Sequence, residues 1–201
     1  MEQPTLNLLG VIGSPRSDSV SAAFVAAVLA EAASRNAGTR LLDLRSQPLP
    51  LFDPGSDGDA SAAAAGADVL WADAFVLGTP DYHGAPSGII KNFLDHFWRE
   101  FAGKLFGIVV SSHEKGLTAQ DHLRTSVRQC YGWSLPYGVG APPDAVGPDG
   151  AIVDRAVKQR LAMMARDLVT YGALLRGQRL ADLAGPRESA ASGFMARMHL
   201  D

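Results

Sequence analysis

Polar side chains crowd residues 13–21, GSPRSDSVS, which directly follow the apolar run LNLLGVI. Three hydroxyls and one guanidinium in this stretch can donate hydrogen bonds to an anion, and they belong to Ser14, Arg16, Ser19 and Ser21. Backbone N–H groups at the start of a helix also favour an anion, because they point outward without partners. The stretch therefore predicts a phosphate site. A serine-rich loop that only caps the following helix is the open alternative.

A second polar loop spans residues 79–88, TPDYHGAPSG, and follows the apolar run DAFVLG. Its first proline is expected to end the strand, and its glycines allow positive φ or close approach of the backbone to a ligand. Five consecutive residues offer backbone groups and two aromatic rings to a flat heteroaromatic ligand: Pro80, Asp81, Tyr82, His83 and Gly84. The alternative is an Asx-type turn that only leads into a helix, with Ser87 as the N-cap.

Several enzyme classes are disfavoured by motifs that these segments lack. The first loop contains neither G-x-x-x-x-G-K nor G-x-G-x-x-G, which argues against a P-loop nucleotide triphosphatase and a Rossmann dinucleotide site. The segment GAPSG is not G-x-S-x-G, so Ser87 is not expected to be a hydrolase nucleophile. His113 and Glu114 lack the second histidine of H-E-x-x-H, since residue 117 is leucine, and a solvated loop is expected there.

Apolar runs and segments of helical period alternate along the chain. Strands are predicted at 6–12, 39–44, 73–79, 104–112 and 134–140. Helices are predicted at 20–35, 61–72, 87–98, 118–131 and from Val153 through Leu168. Pro136 weakens the fifth strand. The alternation predicts one α/β domain with a mainly parallel sheet over residues 1–177, followed by a tail, residues 178–201, without a clear period.

The two polar loops follow the first and the third predicted strands. Ligands of open α/β sheets bind outside the carboxyl ends of the strands, at the point where the strand order reverses. In a sheet of order 2-1-3-4-5, strands 1 and 3 flank that point. We therefore expect the two loops to converge in a single cleft.

Together, the loops resemble the NAD(P)H-dependent FMN reductase family of flavodoxin-like proteins. Its members typically carry G-S-x-R-x-x-S, followed by T-P-E-Y-N-G…P-G-x-L-K-N-x-[IL]-D. The first motif is matched by Gly13, Ser14, Arg16 and Ser19. The second is matched by Thr79, Pro80, Tyr82, Gly84, Lys91, Asn92 and Asp95, while Asp81 replaces the glutamate and His83 the asparagine. The resemblance covers most of the chain, residues 5–177.

The resemblance implies a flavodoxin-like three-layer sandwich with a five-stranded parallel sheet in the order 2-1-3-4-5. It implies bound FMN, with Ser14, Arg16, Ser19 and Ser21 on the phosphate, and with Pro80, Asp81, Tyr82, His83 and Gly84 along the ring. Ser111 and Ser112 would close the pyrimidine side. NADPH or NADH would reduce the flavin, which would then reduce a small acceptor such as a flavin, a quinone, an azo compound or a metal oxyanion. No catalytic side chain is needed, because the flavin carries the chemistry.

One stretch departs from the family pattern. Members often have a glycine-rich loop after the fourth strand, whereas residues 111–120 here read SSHEKGLTAQ. His113 in this loop is an alternative proton donor. Two other functions remain open at this point: a flavodoxin-type electron carrier, and a phosphosugar or nucleotide binder that uses the first loop alone.

Composition narrows the partners and the compartment. The formal net charge of −3 over 201 residues gives no reason to expect nucleic-acid or acidic-membrane binding. Neither a secretory signal nor a membrane span is expected, and the single cysteine, Cys130, cannot form an internal disulfide, so a cytoplasmic location is expected. The family resemblance implies a homodimer or homotetramer. Four residues suit either the core or a subunit contact: Trp98, Arg99, Phe101 and Phe106.

Overall fold

The computed structural model describes residues 5–55 and 59–185, whose apolar runs form a central sheet. Its strands are Leu6–Ile12 (β1), Ala37–Asp43 (β2), Ala74–Tyr82 (β3), Ala85–Pro86 (β4), Leu105–Ser111 (β5), Trp133–Ser134 (β6) and Val139–Ala141 (β7). The parallel order is β2-β1-β3-β5, with β6 and β7 both beside β5 at the edge. β4 pairs antiparallel with the end of β3 and forms a small hairpin.

Helices cover both faces of this sheet. They are Val20–Ala33 (α1), Ala60–Trp71 (α2), Gly88–Asp95 (α3), Leu117–Gln129 (α4) and Arg155–Ala184 (α5). α1 and α5 pack on one face, and α2, α3 and α4 pack on the other. None of the helices within the described residues combines the length and the apolar character that a bilayer span requires.

The flavodoxin-like α/β class is confirmed, and so is the order 2-1-3-4-5 when β6 and β7 are counted as one strand position. The continuous fifth strand predicted at 134–140 is wrong. The amide of Leu135 still donates to the carbonyl of Phe106 at 2.9 Å, but residues 136–138 leave the ladder between its two pieces, because Pro136 has no N–H to donate. Pro80 also does not end the third strand. It lies in β3, opposite Ser111 of β5, and β3 continues into the hairpin.

Glycines bring α1 close to the strands that lead into the polar loops. A Cβ at Gly10 of β1 would lie 2.6 Å from Val25 of α1, and a Cβ at Gly78 of β3 would lie 2.4 Å from the same valine. Neither separation is possible between real side chains, so both positions must lack one. This close packing places the amino end of α1 directly beside the carboxyl ends of β1 and β3.

The opposite face of the sheet is filled by phenylalanines. Phe75 stacks on Phe106 with ring centroids 4.6 Å apart, and Phe101 meets both rings edge-on. Phe101 and Phe106 are fully buried and therefore belong to the core, whereas Trp98 is half exposed. The two phenylalanines considered for a subunit contact therefore pack inside the subunit and do not reach its surface.

The last helix continues beyond the residues whose apolar period predicts it. α5 reaches Ala184, although the sequence shows no clear period after Gly177. Polar contacts hold this extension: Arg179 donates to the buried carboxylate of Asp73 at 2.7 Å, and Arg176 approaches the same carboxylate at 3.1 Å. The remainder of the predicted tail, residues 186–201, lies outside the described residues.

Candidate functional site

The first two polar loops touch each other directly. The amide of Gly13 donates to the carbonyl of Gly78 at 2.8 Å, and the Ser87 hydroxyl donates to the carbonyl of Gly13. Ser87 also caps α3, as predicted, by accepting from the amide of Ile90 at 3.3 Å. A Cβ at Gly13 would lie 2.5 Å from the Cβ of Ile90, so the two loops can meet this closely only because residue 13 is glycine.

Between these loops, at the carboxyl ends of β1, β3 and β5, lies a cleft of about 310 Å³. Its walls are Ser14, Arg16, Asp18, Ser19, Val20, Ser21, Pro80, Asp81, Tyr82, Ser111, Ser112, His113 and Pro143. Nine of the eleven residues predicted to bind a cofactor are among them, and His83 and Gly84 are not. The volume falls at the lower end of the range of small-molecule sites, about 300–1,000 Å³.

The serines of the first loop both cap the helix and retain donors. Ser19 is the N-cap of α1 and accepts from the amide of Ala22 at 3.2 Å, while its hydroxyl oxygen lies 3.1 Å from that of Ser21. Ser14 accepts from the amide of Arg16 at 3.3 Å. A hydroxyl that accepts a bond keeps its own proton, so Ser14 and one member of the Ser19–Ser21 pair can still donate to a ligand. Helix capping and anion binding are therefore compatible here.

Arg16 is engaged by an acidic neighbour that the sequence analysis did not single out. Its Nε and Nη2 donate to the two carboxylate oxygens of Asp18 at 3.0 and 2.7 Å. The hydrogen bond from Arg16 lowers the pKa of the Asp18 carboxyl, and the same contact raises the pKa of the arginine. Since a guanidinium carries five N–H donors, three remain for a ligand. The sequence did contain a signal for this pair, namely an acidic residue two positions after the arginine in the same loop.

The second loop is a hairpin whose tip lies outside the cleft. Asp81 accepts from the amide of Gly84, three residues on, at 2.8 Å, so its side chain closes a turn one residue longer than the Asx-type turn considered as the alternative. His83 and Gly84 take φ of 59° and 80° at this tip. A Cβ at Gly84 would lie 3.3 Å from the hydroxyl of Thr118, so the tip packs against α4. This packing explains why these two residues do not line the cleft.

The third loop, residues 111–116, is tied to the second by a single carboxylate. Ser112 donates through its hydroxyl to Asp81 at 3.0 Å and through its amide to Ala141 at 3.0 Å. A Cβ at Gly140 would lie 1.9 Å from the carbonyl oxygen of Lys115, so this loop lies flat against β7 only because residue 140 is glycine. Asp81 therefore fixes the hairpin with one oxygen and the third loop with the other.

Comparison with known proteins assigns the chain to a family. A sequence model described as NADPH-dependent FMN reductase matches residues 6–144. The chain belongs to the NADPH-dependent FMN reductase family. An FMN-dependent NADPH-azoreductase of Staphylococcus haemolyticus is 39% identical to this chain over 71 residues. That alignment covers 34% of this chain and 37% of the relative, so the chain spans little more than a third of the relative's length.

Solved structures of other flavodoxin-like proteins share the architecture of this chain. The flavoenzyme NAD(P)H:(acceptor) oxidoreductase FerB from Paracoccus denitrificans superposes with a TM-score of 0.71 at 20% identity, over 83% of this chain and 97% of that one. A flavodoxin from Streptococcus pneumoniae superposes with a TM-score of 0.58 at 14% identity, over 82% and 99% of the two chains. At these identities the likeness establishes the fold.

Outside the cleft, residues of the family motif hold a neighbouring loop in place. The side-chain amide of Asn92 on α3 accepts from the amide of Phe52 and donates to the carbonyl of Pro50, both at 2.8 Å. Lys91 pairs with Asp95 at 2.5 Å on the same helix. Asn92 thus fastens the loop after β2 to α3, a structural role that the motif alone did not reveal.

Proposed function

We propose that this chain is an FMN-dependent oxidoreductase that accepts electrons from NADPH or NADH and reduces a small acceptor. Candidate acceptors are a flavin, a quinone, an azo compound and a metal oxyanion. The observation that carries the proposal is the single cleft in which the loops after β1, β3 and β5 meet. Membership of the FMN reductase family and the azoreductase name of the staphylococcal relative support it.

The proposed phosphate end of the cleft consists of Ser14, Arg16, Ser19 and Ser21, with the amino end of α1 beside them. Ser14 and Ser21 are buried, which fixes their hydroxyls, and Arg16 stands at the exposed rim. Unpartnered N–H groups at a helix start, spare hydroxyl protons and a guanidinium form a donor set that matches a phosphomonoester.

The proposed ring end consists of Pro80, Asp81 and Tyr82 on one side and Ser111 and Ser112 on the other. The backbone at the end of β3 and the half-exposed Tyr82 ring line one edge of this end, and the side chains of Asp81, Ser111 and Ser112 add polar groups beside it. His83 and Gly84 form the turn that sets the hairpin behind this edge. When bound, FMN would supply hydride acceptance and electron transfer, while the protein positions it and excludes solvent from one side.

The experiment is an anaerobic titration of the FMN-loaded protein with NADPH and, separately, with NADH. We expect the oxidised-flavin absorption band to disappear on addition of the nicotinamide, and to return when one of the four candidate acceptors is added. A protein that binds FMN but is reduced only by a partner protein would be a flavodoxin-type carrier. A protein that binds no FMN, but does bind a phosphosugar or nucleotide, would contradict the flavin assignment.

We further propose that the protein is a cytoplasmic homodimer or homotetramer. Support for the compartment is the single cysteine of the sequence, Cys130, which cannot form an internal disulfide. Support for the assembly is a cluster of exposed aromatic side chains, in which the rings of Trp98 and Tyr131 lie 6.5 Å apart and Trp133 is half exposed. Light scattering on the eluting protein should give two or four subunit masses, and a monomer would contradict the assembly.

A further inference from the structure

An acidic side chain stands at the end of the cleft that the proposed function assigns to phosphate. Asp18 lies two residues from Arg16 in the same loop, and both side chains line the cleft. They are exposed to similar degrees, 66% for Arg16 and 69% for Asp18, so neither is shielded from the cleft by other residues. A ligand phosphate that approaches Arg16 must therefore also approach a carboxylate.

The charges in the cleft wall do not by themselves favour a dianion. Among the described residues that line the cleft, the charged groups are one arginine and two aspartates, Arg16, Asp18 and Asp81, together with the titratable His113. Asp81 is engaged by the amide of Gly84 and the hydroxyl of Ser112. Asp18 instead lies directly against the guanidinium that a phosphate would use. The two carboxylates outnumber the single guanidinium.

The geometry of the Arg16–Asp18 pair leaves Arg16 able to donate to an anion, while the charge of Asp18 opposes that anion. The carboxylate occupies the Nε–Nη2 edge of the guanidinium, so the remaining three donors stay available for an anion. Asp18 therefore does not prevent Arg16 from donating to phosphate. Its negative charge nevertheless opposes a phosphate dianion bound to the same group, and this repulsion is partly screened because the pair is exposed.

We propose that Asp18 determines how tightly the cleft holds phosphorylated flavin, by opposing the phosphate charge at Arg16. The inference rests on the proposed function and adds a specificity-determining residue to it. Asp18 lowers the preference for FMN over riboflavin, which lacks the phosphate. FMN is consequently held less firmly than the serines, the helix terminus and Arg16 would hold it without this carboxylate.

The test compares Asp18→Asn with a matched control, Asp121→Asn. Asp121 also pairs with an arginine, Arg124, at 2.7 Å, and it is 70% exposed, but it lies on α4 away from the cleft. Both variants remove one negative charge from the protein, and asparagine retains an oxygen that can accept from the neighbouring arginine. The dissociation constants of FMN and riboflavin are measured by quenching of flavin fluorescence, at low and at high salt.

At low salt, we expect Asp18→Asn to bind FMN about two- to fivefold more tightly, the range that corresponds to an exposed charge interaction. Riboflavin affinity should not change in either variant, and Asp121→Asn should match the wild type for both flavins. The gain for FMN should shrink at high salt.

Weaker or unchanged FMN binding in Asp18→Asn would overturn the inference, and so would an equal gain for riboflavin. If neither the wild type nor this variant bound FMN, the proposed function itself would be contradicted and the inference would fall with it. FMN binding by the wild type without the expected gain would overturn the inference alone.

Discussion

Arginine–aspartate pairs stand at both ends of the sheet, but the aspartate is buried at the amino end and exposed at the carboxyl end. At the amino end, Asp73 is 8% exposed and is contacted by Arg176 and Arg179 from α5, while the amide of Asn7 donates to it at 3.2 Å. Nearby, the buried Lys104 ammonium donates to the carbonyl of Val69 at the end of α2. At the carboxyl end, the arginine–aspartate pair stands in solvent at the rim of the cleft.

The fold uses polar groups for stability at the amino end of the sheet and leaves them for a ligand at the carboxyl end. Charges buried at the amino end are held by the protein itself, because an unpaired buried charge would cost several kcal/mol. Those at the carboxyl end need no internal partner, since water solvates them. We therefore expect variants at the amino end to change unfolding and variants at the carboxyl end to change flavin binding.

The largest effect is expected at the amino end, from Asp73→Ala. The substitution leaves Arg176 and Arg179 without their carboxylate and should lower the free energy of unfolding by about 3 kcal/mol, the lower range for a broken buried pair, because Arg176 is partly exposed. Chemical denaturation measures the change. Asp68→Ala, which breaks the exposed pair with Arg40, should lose under about 1 kcal/mol. Equal losses in the two variants would refute the distinction.

The next effect is expected where the two loops meet, from Gly13→Ala. Its new methyl group would collide with Ile90, so α3 and the first loop must separate, at a cost of about 1–3 kcal/mol in the free energy of unfolding. FMN affinity should fall as well, because both walls of the cleft move. Gly88→Ala is the matched control, since a Cβ there has no heavy atom within 4 Å. If Gly13→Ala and Gly88→Ala behaved alike in denaturation and FMN titration, the close contact would be unimportant.

A binding effect without a stability effect is expected from Arg16→Ala. Loss of one charge-assisted donor should weaken FMN binding about tenfold, while riboflavin binding and thermal unfolding stay as in the wild type. Arg124→Ala, which breaks the pair with Asp121 on α4, away from the cleft, should leave both flavins unaffected. Isothermal titration of FMN into the two variants measures the difference. An unchanged FMN dissociation constant would remove Arg16 from the phosphate site.

The smallest effect concerns pH and the amino end. Burial, followed by the nearby Arg179 charge, lowers the pKa of Lys104 to about 8. Between this pKa and the higher value of an unfolded lysine, the unfolded chain binds more protons, so stability should rise with pH there. The gain should be about 1 kcal/mol between pH 7 and 9. Unfolding curves at the two pH values should show this gain in the wild type and in Lys158→Met, an exposed control, and lack it in Lys104→Met. A wild type without the gain would contradict the lowered pKa.

Much of the fold follows from local sequence. The strand and helix alternation, the order of the sheet and the meeting of the first two loops all follow from apolar runs, polar loops and the rule for parallel sheets. The nine cleft residues that were anticipated lie at the carboxyl ends of strands or in the segments that directly follow them, where sequence position determines spatial position. Ser87 was correctly expected to cap α3, because its role depends on immediate neighbours.

The features that were missed depend on contacts between distant residues. The end of α5 is held by Asp73, over 100 residues earlier in the chain, so no local period marks it. The break in the fifth strand follows from Pro136, but where its two pieces pair depends on β5, a strand earlier in the chain. The hairpin tip at His83 and Gly84 turns towards α4 because Thr118 lies there. Even the Arg16–Asp18 pair, although local, depends on a loop conformation that residue types do not specify.

The most direct measurement is a crystal structure of the protein with FMN. We expect the phosphate within hydrogen-bond distance of Arg16, Ser14, Ser19 and Ser21. We expect the ring along Pro80, Asp81 and Tyr82. A flavin bound elsewhere, or with its ring against the serine loop and its phosphate at the hairpin, would contradict this placement.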